Sequence, residues 1–307
     1  MKRAYQSWNP KPATMAQVGM AEEIIDEYEA EGYTLTLRQL YYQFVARGLA
    51  ANSARSYKNL GTVITKARMA GLISWLAIED RNREHHAYLA EEDEMNVLNT
   101  LEYGIQYDRW ARQETYVEVW VEKEALGNVI ERACRPWMVP HMACKGYLSA
   151  SEAWRAGQRI RDRLIDGKKC VVIHLGDHDP SGIDMTRDNR DRLTLFSEGL
   201  GEGVEVVRIA LNMDQVEEYE PPPNPAKVTD SRAAGYIRQY GRTSWELDAL
   251  EPSVMKTMIT REIRKYIDMD AWRSVEEEEE EKKRILRNVA DRWDQIRPIA
   301  EPNDGGE

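Results

Sequence analysis

A short apolar run, Val171-Val172-Ile173-His174-Leu175, gives way at once to Gly176-Asp177-His178-Asp179-Pro180-Ser181-Gly182. The run reads as a buried strand. The residues after it, from Ile183 to Asp188, read as the start of a helix, with Pro180 suited to its first turn. A strand that passes directly into a helix in this way belongs to an α/β sheet, and open α/β sheets bind ligands outside the carboxyl ends of their strands. In extended chain Asp177 and Asp179 point the same way. Two carboxylates so placed suit Mg²⁺, which takes one or two carboxylates and keeps several waters. The competing assignment for Asp179 is the N-cap of the helix that follows.

The surrounding chain supports a sheet. Thr115-Tyr116-Val117-Glu118-Val119-Trp120-Val121 is a strand by its β-branched and aromatic content, and it ends at Glu122. A helix is expected from Lys123 to Cys134, a short segment from Pro140 to Cys144, a helix from Ser149 to Asp166, and a further strand from Val204 to Ile209. Strands alternating with helices predict a mostly parallel sheet flanked by helices. Glu122 then shares one sheet edge with Asp177 and Asp179, and three converging acids make a candidate Mg²⁺ site.

The first third reads differently. A helix is expected from Thr14 to Ala30, ended by Gly32. A second opens at Thr36 with Gln39 three residues on, a capping-box pattern. At helical spacing Leu37, Leu40, Tyr41 and Phe44 form its core stripe. Arg38 and Tyr42 are i and i+4 and share a more exposed face, so Tyr41 packs and Tyr42 projects. A third helix, from Asn52 to Ala70, carries Arg55, Lys58 and Lys66 opposite its apolar stripe. Leu72 to Leu76 reads as a strand. Helix, turn, basic helix and strand resemble a winged-helix or helix-turn-helix DNA module.

Charge distribution agrees with a nucleic-acid partner although the chain as a whole carries −11. From Tyr33 to Ile78 there is no Asp or Glu, against Arg38, Arg47, Arg55, Lys58, Lys66 and Arg68. That is a local electrostatic footprint for phosphate. The compensating acid lies at Glu91–Glu94 and Glu276–Glu281; the second run, followed by Lys282, Lys283 and Arg284, reads as a solvated helix. His85 and His86 lack partners at metal-ligand spacing and read as surface residues. Cys134, Cys144 and Cys170 fit neither a zinc site nor a disulfide framework and read as buried thiols of a reducing cytoplasm. No apolar run approaches a membrane span, and the first residues contain no signal-peptide core. No phosphate-cradling glycine pattern occurs, so any ATP-driven step belongs to another polypeptide.

Taken together, Glu122-Lys123-Glu124-Ala125 at a strand end and Asp177-His178-Asp179-Pro180-Ser181-Gly182 resemble a Toprim domain. Lys145-Gly146-Tyr147 between them is similar to the corresponding segment of topoisomerase VI A subunits. Leu37-Arg38-Gln39-Leu40-Tyr41-Tyr42 resembles the winged-helix catalytic segment of those subunits and of the meiotic double-strand-break enzymes, and Ala70-Gly71-Leu72-Ile73 matches the turn into the wing. The resemblance covers roughly residues 33–210 and is most like the compact stand-alone Mini-A type found on phages and other mobile elements. Residues 211–307 match only loosely, and Trp245 to Leu250 has no assigned role.

The resemblance implies a winged-helix DNA-binding domain over residues 1–90, a helical connector over 91–113, a Toprim-like domain with a helical extension over 114–298, and a disordered tail over 299–307. It implies that Tyr42 attacks a DNA phosphate to form a 5′-phosphotyrosyl link, with Arg38 holding the phosphate. Glu122, Asp177 and Asp179 would hold Mg²⁺. Arg55, Lys58, Lys66, Lys123 and Lys145 are the candidate DNA contacts. The implied partners are double-stranded DNA, a second copy of the chain whose Toprim acids face Tyr42, and a separate ATPase B-type subunit. Two rival readings use the same residues: a Toprim nuclease without a covalent intermediate, and a DNA-binding protein that does not cleave.

Overall fold

The structure, a computed structural model, describes residues 2–79, 97, 104, 106–200, 203–226, 230 and 232–300. The chain divides into two compact units, residues 1–83 with 116–265, and residues 84–115 with 266–307. His85, His86, Glu91–Glu94 and residues 301–307 lie outside the described residues.

In the larger unit a four-stranded parallel sheet has the order β4-β3-β5-β6, with β3 at Thr115–Val121, β4 at His141–Ala143, β5 at Lys169–Leu175 and β6 at Val204–Ala210. The strands alternate with helices at Gly127–Cys134, Ala150–Ile165 and Pro180–Phe196, as their patterning predicts. On one face Tyr116, Trp120, Cys170, Val172, Val204 and Val206 pack against Ala153, Ala156, Ile160 and Leu193 of two of these helices. Strand side chains alternate between faces, so Val117, Val119 and Val121, all buried, belong to the other face. The helix Pro252–Ile263 packs on Gly127–Cys134 and on β6. The expected helix at Lys123 begins later: Lys123 is extended, Glu124–Leu126 form one 3₁₀ turn, and the α-helix starts at Gly127.

The N-terminal helices are α1 (Pro12–Ala30), α2 (Leu37–Ala46) and α3 (Ala54–Met69), which bury Ile24, Leu40, Phe44, Leu60 and Ile64 in a shared core. The capping box at Thr36 and Gln39 is formed in both directions. Gly32 takes a left-handed conformation, φ 81°, just after α1, where glycine meets no Cβ penalty. The expected strand at Leu72–Leu76 is not formed. Ile73 is buried singly, and the Trp75 ring packs on Tyr5 and beneath Arg68 while its indole N–H donates to the Arg3 carbonyl. These side-chain anchors hold the backbone in turns. The strand pairing falls instead between β1 (Leu35–Thr36) and β2 (Ile78–Glu79), in parallel.

In the smaller unit the helix Met269–Ala290 carries the acidic run. This run is more than a solvated face. Glu276 pairs with Arg109 at 2.5 Å, Glu278 with Arg112 at 2.7 Å, and buried Glu279 accepts the Tyr107 backbone N–H at 3.0 Å. The expected i,i+4 support is present between Glu279 and Lys283, at 2.7 Å. No described helix is long and apolar enough to cross a membrane. The three cysteines are free, and burial pushes each thiol up to about 12.

Candidate functional site

The loop after β5 is built by close backbone approach. A Cβ on Gly182 would stand 2.3 Å from the Asp177 carbonyl oxygen, so only glycine lets the helix start so near the strand end. Asp179 is the N-cap: its Oδ1 accepts the Gly182 N–H at 2.6 Å and the Ser181 hydroxyl at 3.0 Å. The loop is clamped from β6 by Arg208, which donates to the carbonyls of Gly176, Asp177, Gly182 and Leu211 at 2.7–3.1 Å. His178 is fixed between Tyr236, Tyr240 and Trp245. The Tyr236 hydroxyl faces the carbonyls of His178 and Thr243, so its proton points to them and the His178 Nδ1–H donates to Tyr236, at 2.8 Å. Burial lowers His178 to about 4.

The two strand ends meet directly. Glu122 Oε2 accepts the Asp177 backbone N–H at 2.9 Å. Asp177 is buried; its Oδ1 accepts the Leu247 N–H at 2.8 Å and its Oδ2 pairs with the Lys123 ammonium at 2.9 Å. Burial raises Asp177 to about 7 despite Lys123, with Glu122 and Asp248 adding to the rise. Burial also raises Glu122; the Asp177 N–H opposes the shift and Asp179 reinforces it.

Sequence reasoning gave no role to Trp245–Leu250, yet this segment joins the two halves of the site. Trp245 exchanges backbone hydrogen bonds with His178 in an antiparallel bridge. Asp248 is buried and pairs with Lys123 at 2.5 Å and with Arg38 Nε at 2.8 Å. Glu246 pairs with Lys123 at 2.7 Å and with Arg38. Tyr42 donates its hydroxyl hydrogen bond to Glu246. Glu251, next in the chain, accepts from Tyr28 and from Gln43. The available signal was the spacing: Glu246 and Asp248 repeat the one-residue interval of Asp177 and Asp179.

Tyr42 does not project. It is 4% exposed and Tyr41 5%, because the 245–251 segment covers the face left open when α2 is considered alone. Tyr41 packs as expected, and its hydroxyl accepts the Ser53 N–H at 2.7 Å in the turn before α3. The Arg38 guanidinium lies 5.9 Å from the Tyr42 ring centre. Burial raises the Tyr42 phenol well above its ordinary value, Asp248 and Glu246 add to the rise, and Arg38 only partly opposes it. Glu246 goes the other way, down to about 2, because Lys123 and Arg38 outweigh its burial. A pocket of about 250 Å³ opens at this point, lined by Arg38, Tyr42, Asn52, Tyr57, Asn224 and Glu246 among others.

The structure therefore links Arg38, Tyr42, Lys123, Glu122 and Asp177 in one network within a single chain, with Asp179 in the same loop. Arg55, Lys58 and Lys66 stand apart on the exposed face of α3, with no ion pair among the described residues. Lys145 is exposed and pairs with Glu124 at 2.7 Å. Among the described residues no three His, Cys, Asp or Glu side chains form a ready-made metal-binding group. Glu122 has one oxygen on the Asp177 N–H, and Asp177 has both oxygens engaged, on the Leu247 N–H and on Lys123.

Compared with family models, curated proteins and solved structures, the chain matches none.

Proposed function

We propose that this chain is a DNA-cleaving transesterase of the topoisomerase VI A type, combining a winged-helix-like segment with a Toprim-like sheet. The observation that carries the reading is the continuous polar network from Tyr42 through Glu246 and Lys123 to Asp177. A metal-dependent nuclease does not call for a buried tyrosine and a partner arginine tied to its acids; a tyrosine transesterase uses that juxtaposition. Tyr42 Oη attacks the phosphorus, the P–O3′ bond breaks, and the 5′ end is left on the tyrosine. The phenol proton leaves to solvent, and the departing 3′ oxygen takes one from solvent. Arg38 holds the phosphate and stabilises its charge. Mg²⁺ held by Glu122, Asp177 and Asp179 would neutralise further charge on the phosphate. Arg55, Lys58 and Lys66, exposed and unpaired, supply backbone contacts.

In this arrangement the Arg38 donors rest on Glu246 and Asp248. A phosphodiester must take the place of these carboxylates. Each chain carries one Tyr42, so a double-strand break takes two chains, and a two-fold homodimer matches the symmetry of the duplex backbone. The resemblance implies sites shared between protomers. The network of one chain supports a site completed in cis, and an experiment separates the two.

Supercoiled DNA is incubated with the protein and Mg²⁺, the sample is denatured, and protein on 5′ ends is measured. The wild-type chain gives the covalent product and Tyr42→Phe gives none. If Tyr42→Phe cleaves and leaves protein-free ends, the chain is a Toprim nuclease. Mixing Tyr42→Phe with Asp177→Asn/Asp179→Asn chains restores nicking only if sites are shared between protomers.

A further inference from the structure

Away from Tyr42, the helix Pro252–Ile263 borders a cleft of about 800 Å³ lined by Glu31, Tyr33, Ser253, Lys256, Thr257, Thr260, Arg261 and Arg264. Three of these are cations, four carry hydroxyls, and Glu31 is the one acid. Lys256, Arg261 and Arg264 are exposed, and no carboxylate lies within ion-pair distance of them among the described residues. A fourth cation, Arg132, stacks on Tyr33 with its guanidinium 5.2 Å from the ring centre. A second cleft shares Arg261 but adds Asp214 and Glu218, so an anion is favoured only on the Tyr33 side.

The spacing identifies the anion. Lys256 and Thr260 share one helix face, and Arg264, the C-cap residue just past Ile263, lines the same cleft. From Lys256 to Arg264 the helix rises about 12 Å at ~1.5 Å per residue. A single phosphate group cannot reach both ends of a row this long, whereas the repeating phosphates of a strand can. The cations are carried on a rigid helix, and hydroxyls between them can donate to the same oxygens. A free phosphate group would engage one end of such a row; a strand backbone engages all of it.

We propose that this cleft is a DNA-backbone site, separate from the Tyr42 pocket and from the basic face of α3, which grips a duplex through Lys256, Arg261 and Arg264. It deepens the DNA-cleavage reading by adding a second grip on the same substrate, but it does not depend on any bond being broken.

The test is fluorescence anisotropy on a labelled duplex over a series of salt concentrations, with the full chain. Each phosphate contact contributes about 0.9 to the slope of log affinity against log salt. The Lys256→Ala/Arg261→Ala/Arg264→Ala variant is expected to flatten that slope by about two to three, whereas Arg261→Lys/Arg264→Lys keeps it. Thermal denaturation checks that both variants fold; these side chains are exposed, and neither should shift the midpoint. An unchanged slope in the folded triple variant overturns the proposal, as does a wild-type chain that binds no duplex. Pyrophosphate is titrated in parallel: if its binding is lost in the triple variant while the duplex slope is kept, the cleft is a small-anion site and the DNA proposal falls. Duplex binding with the expected slope change but no covalent adduct in the wild type would remove the cleavage reading and leave the cleft standing.

Discussion

The basic face of α3 and the network beneath Tyr42 use the same chemistry to opposite ends. On α3, Arg55, Lys58 and Lys66 are exposed, without a carboxylate partner among the described residues. Beneath Tyr42, Arg38 and Lys123 are held by Glu246 and Asp248, with Asp177 as a third partner of Lys123. A solvated cation meets phosphate by displacing water and counterions, at no structural cost. A cation already held by carboxylates meets it only when those carboxylates yield, and buried ones such as Asp248 cannot be left uncompensated. On the proposed reading, the first region would serve affinity and speed of encounter, and the second would place one phosphate against one hydroxyl.

The sharpest way to break this contrast is Lys123→Ala. It leaves Asp177, Asp248 and Glu246 without their shared ammonium, and losing one partner of a buried ion pair costs about 3–5 kcal/mol. Chemical denaturation should show a loss of that order. A loss below about 1 kcal/mol would mean that the network behaves like surface ion pairs.

Glu246→Gln sharpens the contrast from the other side. It removes one carboxylate from Arg38 and keeps the side chain's shape. Duplex affinity at fixed salt should rise by about threefold to tenfold, the equivalent of roughly 1 kcal/mol. Weaker binding would show that Glu246 helps to receive the phosphate rather than occupying its place.

The smallest effect on folding belongs to α3. Arg55→Ala/Lys58→Ala/Lys66→Ala should change stability by no more than about 0.5 kcal/mol per residue, as exposed substitutions do. The same variant should flatten the salt dependence of duplex binding. A large stability loss, or an unchanged slope, would remove the distinction between the two regions.

Much of this was legible in the chain itself. Apolar and β-branched runs marked β3, β5 and β6, and 3.6-residue patterns marked α1–α3, because composition and side-chain face are local properties of the chain. The capping box at Thr36 and the Gly176–Gly182 turn were readable for the same reason: every atom involved lies within a few residues. Leu72–Leu76 misled because Trp75 is anchored to Arg3, Tyr5 and Arg68, partners that strand propensity does not see.

What sequence alone determined is thus the alternation of strands and helices, the edge on which Glu122, Asp177 and Asp179 gather, and the helix that carries Arg38 and Tyr42. What only the tertiary structure decided is the state of those groups. Tyr42 reads as exposed on an isolated helix and is buried in the fold. Lys123 reads as a candidate DNA contact at a helix start and is held by three carboxylates. The cause in both cases is the 245–251 segment, some two hundred residues from Tyr42 in the chain. Exposure and ionisation depend on every group that comes near in space, and no local pattern around Tyr42 or Lys123 records that segment's arrival.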